Sequence, residues 1–408
     1  MNRTLKIGIL RETRKPPDRR VPLTPQQIIS FRKDNPHAEF YIQPCEDRCY
    51  SDKEYADESI PLQEDLSICD LLLGVKEVDP ATFIHGKKYL FFAHVGKKQP
   101  HNLTMFREMA ERSLTLIDYE YLTTEKGDRI LAFGRWAGIV GAYNGLRAYG
   151  LRTKKFDLRP ANKCQDVNDM WQGLKHIKLE PGLKILLTGE GRVANGAAET
   201  LKVCNIKKVL PDDYLKQEYD TPVFCQIGPD YYTKHKSSQQ FNFANFVSNP
   251  GDYESAILPF ANVTDILITG HYWDPGSPLF FTRDDMIKQE FRISVIADIS
   301  CDVNGPIPST LRASTIENLF YDYNPLTGAE EPAFRQPGNI TVMAVDNLPG
   351  ELPRDASVDF GNQLMNNVLK DLISETESPV IERATILKDG RLTPAFEYLS
   401  DYLREKNI

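Results

Sequence analysis

The sequence predicts an α/β protein of two doubly wound, parallel-sheet domains. Three observations carry this. Continuous apolar runs alternate with helical patterns over residues 1–135, a second such series starts at Leu183, and a glycine turn follows the first strand of that second series. Fully apolar strands separated by helices are the pattern of parallel sheets covered on both faces. At 408 residues the chain exceeds one ordinary core.

In the first series, Lys6–Leu10 reads as a strand, and Thr24-Pro25 opens a helix with Thr as N-cap and Pro at the first helical position. Ala38–Ile42, Asp70–Val75, Tyr89–Ala93 and Leu114–Asp118 read as further strands, with a helix over Thr104–Arg112 before the last. Trp136–Arg152 is helical and rich in small residues, as expected of a closely packed helix leaving this domain. Lys154–Glu180 is polar and unpatterned, and reads as an insertion or linker. Strands then fall at 183–188, 265–269, 294–298 and 340–345, and helices at about 357–374 and 394–406, the last with Thr393 as N-cap. Tyr231–Asn249 lacks period and reads as a surface excursion.

Composition narrows the function. A net charge of −8 with scattered Lys and Arg disfavours nucleic-acid binding. No apolar run approaches the roughly 18 residues of a membrane span. The N-terminal apolar run ends after four positions, which points to a cytoplasmic start. Seven cysteines without zinc spacing read as free thiols, and no metal site is expected. The expected partner is a small molecule, bound by a monomer or homo-oligomer.

Gly189-Glu190-Gly191-Arg192-Val193-Ala194 has the form GxGxxA between a strand and a helix. Gly189 would turn the chain and Gly191 would let backbone approach a pyrophosphate. The third small residue would pack helix on strand, with the helix N-terminus facing the phosphates. The order indicates a dinucleotide site, NAD or NADP. The acidic ribose partner falls at Asp212 or Asp213, whereas Lys207 and Lys208 would suit a 2′-phosphate, so coenzyme choice stays open.

Ionisable residues also follow the strands of the first domain: Arg20, Lys76, Glu77, His94, Lys97 and Glu120. Strand C-terminal ends are where α/β sheets open their clefts. The strings that hold them are Arg20-Val21-Pro22-Leu23-Thr24-Pro25, Gly74-Val75-Lys76-Glu77, Phe91-Phe92-Ala93-His94-Val95-Gly96-Lys97 and Leu116-Ile117-Asp118-Tyr119-Glu120. With them go residues 129–138, 297–302 and 346–354. Together and in this order they resemble the lysine-forming saccharopine dehydrogenases and lysine–ketoglutarate reductases, within the wider group of alanine dehydrogenases and the transhydrogenase α subunit.

The resemblance implies a two-domain enzyme with an interdomain cleft and a discontinuous first domain, 1–140 with 325–408, around a Rossmann domain at 141–324. It implies hydride transfer at the secondary amine of saccharopine, with Lys76 and His94 as acid/base groups. Arg20, Glu77, Arg129, Phe133 and Asp302 match substrate positions, and Lys97, Glu120 and Gly138 are counted with them. Arg192, Val193, Tyr272, Ile299, Asp346, Asn347 and Leu348 match cofactor positions, beside Gly189, Gly191 and Asp212. Another amino-acid or opine dehydrogenase, or a nucleotide-binding relative without turnover, are the alternatives.

Overall fold

Residues 4–374 and 378–405 are described by the computed structural model. The chain divides into two compact units, Met1–Phe133 with Pro353–Ile408, and Gly134–Leu352.

The first unit holds a seven-stranded sheet. Its order is Arg391–Leu392, Thr385–Lys388, Thr115–Asp118, Lys88–Phe92, Leu71–Lys76, Leu5–Ile9, Ala38–Ile42. The last five are mutually parallel and the first two antiparallel. The all-parallel expectation therefore fails at this edge, where Thr385–Lys388 is a strand that follows only a short helix and carries no period of its own. Thr24 caps helix Pro25–Asp34, as its sequence predicts, and the structure adds a capping box with Gln27 that was not expected. The same Gln27 donates to Val358 O (2.8 Å) and Asn362 Oδ1 (2.9 Å), while Ser357 Oγ accepts from the Val21 N–H (2.9 Å). These bonds tie the returning C-terminal segment to the first loop and helix. That segment is helical from Pro353 rather than 357, because Pro suits a first helical turn, and it passes through a π-turn at Met365–Leu369. At the tail, Pro394–Leu399 is 3₁₀ and only Ser400–Arg404 is α-helical. Thr393 Oγ1 donates to Thr385 O instead of capping, and Lys406 lies outside the described residues.

The second unit holds eight strands in the order Ala329–Glu331, Phe320–Asn324, Ile340–Met343, Val295–Asp298, Ile266–Thr269, Lys184–Thr188, Val223–Ile227, Lys207–Lys208. Six are parallel, and the first two are antiparallel. The stretch 154–180 is not wholly irregular: Asp166 caps a helix, Val167–Leu174, that buries Met170 and Leu174. Within 231–249, Thr233–His235 pairs with Tyr253–Ser255 and a short exposed helix spans Phe243–Ser248.

The expected boundaries at 140 and 325 move to 133 and 353, and packing gives the reason. Helix Gly134–Thr153 lies against helix Arg192–Val203 at backbone contact. A Cβ on Gly138 would fall 1.9 Å from Val193 O, and one on Gly196 would fall 2.1 Å from Arg135 O. A Cβ on Gly141 would meet Ile299 at 2.4 Å. The small residues let this helix sit on its own unit's sheet, while strands 320–324 and 340–343 extend that sheet past residue 325.

Glu351 is buried and accepts from Asn144 Nδ2 (2.8 Å). Burial pushes its carboxyl from 4.5 up to about 7, against the bond from Asn144.

Two outcomes follow from this packing. Gly138→Ala should cost about 1–3 kcal/mol, because the obstructing atom is backbone and cannot swing away; an unchanged urea midpoint would contradict the close contact. Folding raises the Glu351 pKa, so its contribution is whole below about 4.5 and is lost as pH rises through about 7. Glu351→Gln should therefore narrow the gap between urea midpoints measured near pH 5 and near pH 8, and a gap as wide as in the parent chain counts against it.

Candidate functional site

The first unit gathers its ionisable residues at the carboxyl ends of its parallel strands. Arg20 is only 3% exposed, and its Nε and Nη2 donate to both oxygens of Asp18 (2.9 and 2.5 Å). Its guanidinium carbon lies 4.2 Å from the centroid of the Phe133 ring. Burial pushes the Asp18 carboxyl up, but Arg20 outweighs it and holds it well below the usual carboxylate range. Lys76 ends the strand Leu71–Lys76, with its Nζ 6.0 Å from the centroid of the Phe92 ring. Burial lowers the proton affinity of its amine, and the charge of Arg20 lowers it further.

His94 follows the next strand in a left-handed conformation (φ 53°) and stacks on the same Phe92 ring, 6.0 Å and 15° away. Its Nδ1 pairs with Glu77 Oε2 at 3.7 Å. Burial pushes the Glu77 carboxyl up, yet His94 and Lys76 beside it bring it down to about 2. Phe92, Phe133, Tyr119 and Phe360 make one aromatic cluster beneath these groups, with Phe133 and Phe360 stacked at 4.5 Å. Glu120 pairs with Arg129, whose side chain is about half exposed. Lys97 is exposed on the following 3₁₀ turn.

Residues absent from the sequence reading complete the site. Glu12, in the loop after the first strand, accepts from the Val75 and Lys76 N–H groups (2.6 and 2.9 Å). Burial, with Asp18 adding, pushes its carboxyl up to about 8. Asp118 accepts from the Ala93 and Glu120 N–H groups (3.2 and 2.8 Å), and burial pushes it up to about 7. An acid closing an apolar strand, as in Leu-Thr-Leu-Ile-Asp, was the available signal for Asp118. Glu12 had no comparable signal.

In the second unit, the glycine turn has the geometry its spacing predicts. Gly189 adopts φ +97°, a left-handed conformation, and a Cβ there would meet Gly270 O at 2.5 Å. Gly191 caps the helix Arg192–Val203, and a Cβ on it would touch nothing within 4 Å. The fold thus gives no steric reason for glycine at 191, whereas a phosphate lying on the helix N-terminus would. These residues fit a dinucleotide pyrophosphate. Behind the turn, the neutral ring of His271, lowered to about 3 by burial, shares a hydrogen bond with Thr188 Oγ1 (2.8 Å).

The other expected cofactor residues are distributed as follows. Arg192 is exposed on the first helical turn, and Val193 is partly buried against Gly134 and Gly138. Ile299 and Leu348 pack on Gly141, while Asp346 is exposed and Asn347 half-buried. Tyr272 is 86% exposed. Asp212 sits on the helix Pro211–Lys216 and faces Lys216 at 3.9 Å, and the short strand before that helix carries Lys207 and Lys208. Lys208 Nζ donates to Gln226 Oε1 (2.8 Å), and Gln226 Nε2 donates to Gly189 O (3.0 Å).

Gly138 and Asp302, expected at substrate positions, both fall in the second unit. Gly138 is the helix-contact residue described above, buried against Val193, and presents no surface to a ligand. Asp302 belongs to the second unit, in the turn after strand Val295–Asp298. Among the described residues no group of three or more His, Cys, Asp or Glu is placed to hold a metal, and no helix is long and apolar enough to cross a membrane.

Comparison with known proteins bears on this geometry. Residues 8–140 match the alanine dehydrogenase/PNT N-terminal domain family. That stretch holds Arg20, Lys76, Glu77, His94 and Glu120, so the resemblance read from the motifs is found. The chain is 29% identical to the mitochondrial alpha-aminoadipic semialdehyde synthase of Rattus norvegicus over 95% of its own length and 46% of the relative's. It thus spans about half the length of the first curated relatives it matches. It is 25% identical to the NAD(+), L-lysine-forming saccharopine dehydrogenase of Yarrowia lipolytica, over 95% of this chain and 98% of that one. In fold it is similar to an L-alanine dehydrogenase (TM-score 0.64, 16% identity, 98% of this chain and 100% of that one). The transhydrogenase from Sinorhizobium meliloti follows (TM-score 0.59, 14% identity, 96% and 100%).

The open space over Gly191 gives a clean test. Gly191→Val should cost no more than about 1 kcal/mol of stability in urea denaturation, the scale of losing a favourable N-cap residue, while abolishing dinucleotide binding followed by fluorescence quenching. Retained binding would place the phosphates elsewhere.

Proposed function

We propose that the chain is a pyridine-nucleotide-dependent oxidoreductase acting on the C–N bond of saccharopine, interconverting it with lysine and 2-oxoglutarate. The observation that carries the reading is the pair Lys76 and His94. They lie on one aromatic ring at the carboxyl edge of a parallel sheet, the amine with its proton affinity lowered and the imidazole held by an acid. The names of the two sets of curated relatives support the substrate class.

When bound at the glycine turn, NAD or NADP would accept or supply the hydride. The chain's own residues would manage protons and charge. A secondary amine must lose its proton before the neighbouring C–H bond can give up hydride, and Lys76 Nζ, with its lowered proton affinity, is suited to take it. Water then adds to the iminium carbon as His94 takes a proton from it, with Glu77 steadying the charged ring. The C–N bond of the resulting carbinolamine breaks as Lys76 returns its proton to the departing nitrogen and the hydroxyl gives its own to solvent. In the reverse direction both protons return by the same groups.

Saccharopine brings three carboxylates, and Arg129 is the half-exposed guanidinium of this site that would receive one. Arg20 contributes differently from the expected bidentate grip. Its Nε and Nη2 are engaged by Asp18, so it acts on Lys76 through its charge.

The assay follows reduced-coenzyme absorbance with lysine plus 2-oxoglutarate and, separately, with saccharopine, using each coenzyme. Turnover in neither direction would end the reading. Lys76→Met should lose at least about 10²-fold in turnover with dinucleotide binding intact, the scale of a lost acid/base group; undiminished turnover would remove Lys76 from the reaction.

A further inference from the structure

The ladder between strands Leu5–Ile9 and Leu71–Lys76 pairs Ile7 with Leu71 and Ile9 with Leu73. Its final bond runs from the Leu10 N–H to Leu73 O (2.9 Å). Past that point the first strand turns away. On its other side, the strand Leu71–Lys76 shifts register against Lys88–Phe92 between Leu73 and Lys76. A register break of this kind takes backbone donors off the ladder and re-aims the side chains that follow. Donors buried without a partner are costly, so something must receive them.

One side chain receives both. Glu12 Oε1 accepts from the Val75 N–H (2.6 Å) and Oε2 from the Lys76 N–H (2.9 Å). The carboxyl group stands where the next residues of the first strand would have continued the ladder. It reaches from the loop that carries Asp18 and Arg20 to the residue that carries the amine. With both oxygens used on consecutive N–H groups, the peptide plane before Lys76 is fixed, and with it the direction in which the Lys76 side chain leaves the strand.

We infer that Glu12 is a positioning residue: its two-oxygen clamp on the Val75 and Lys76 amides sets the aim of Lys76 Nζ. The inference rests on the reading that Lys76 moves the proton, and it assigns Glu12 no contact with substrate or coenzyme.

The test uses the full chain with Glu12→Gln, which keeps one acceptor and the side-chain volume, and Glu12→Ala, which keeps neither. Turnover should fall in the order parent, Gln, Ala, reaching about 10–100-fold, with KM for the oxo acid within about threefold, as a misaimed group predicts. Competitive acetylation with acetic anhydride, read by mass spectrometry, should show the pH midpoint of Lys76 displaced in both variants and that of Lys208 unmoved. A Lys76 profile and turnover matching the parent in a folded Glu12→Ala protein would overturn the inference. If Glu12→Ala does not fold, Glu12→Gln and the parent decide. In the parent, hydrogen exchange at the Val75 and Lys76 amides should be slow, and exchange at unprotected rates would overturn the clamp outright. Should the parent lack activity on saccharopine, the proposed function falls, while acetylation and hydrogen exchange still rule on Glu12.

Discussion

Parallel strands that end at different heights leave backbone N–H groups with no partner in the sheet, and much of this protein follows from how those donors are met. At the carboxyl edge of the first unit, Glu12 meets Val75 and Lys76, and Asp118 meets Ala93 and Glu120. In the second unit, Asp298 accepts from the Cys301 N–H (3.1 Å) and from the hydroxyls of Thr269 and Thr310 (2.5 and 2.6 Å). Each acid solves a problem of the fold and, being buried, has its proton affinity raised. The edge where α/β sheets take their ligands is thereby lined with acids whose carboxyls burial shifts upward. Lys76 stands in that lining on a peptide that Glu12 secures, and His94 follows Ala93, from whose N–H Asp118 accepts.

The sequence was legible where local chemistry and tertiary role coincide. Apolar runs 6–10, 38–42, 70–75, 89–93 and 114–118 are strands within a residue or so, because burial on both faces leaves one kind of side chain. The glycine turn was legible because Gly189 answers to a left-handed backbone conformation that no other residue serves as well. Thr24 and Pro25 formed the predicted helix start for the same local reason.

What was not legible depends on residues far apart in the chain. Gly138 sits within a motif of functional residues, yet its smallness answers to Val193 on another helix. Thr393 has the residue type of a cap, but a strand carbonyl claims its hydroxyl. The edge strand Thr385–Lys388 is defined by its neighbour at 115–118 rather than by its own pattern. Glu12 is the clearest instance: its meaning lies in a register break some sixty residues downstream, which composition and periodicity do not encode.

The return of Pro353–Ile408 to the first unit has a consequence for how the chain is made. Its sheet has an open flank at Thr115–Asp118 until Thr385–Lys388 arrives, and helix Pro25–Asp34 awaits the Gln27 acceptors at Val358 and Asn362. On the ribosome, Gly134–Leu352 emerges whole before either partner exists. At roughly 5–20 residues per second, the first unit spends on the order of 14–54 s as an unfinished sheet with an unpaired edge. The second unit can mature in that interval, so the order of completion reverses the order of synthesis.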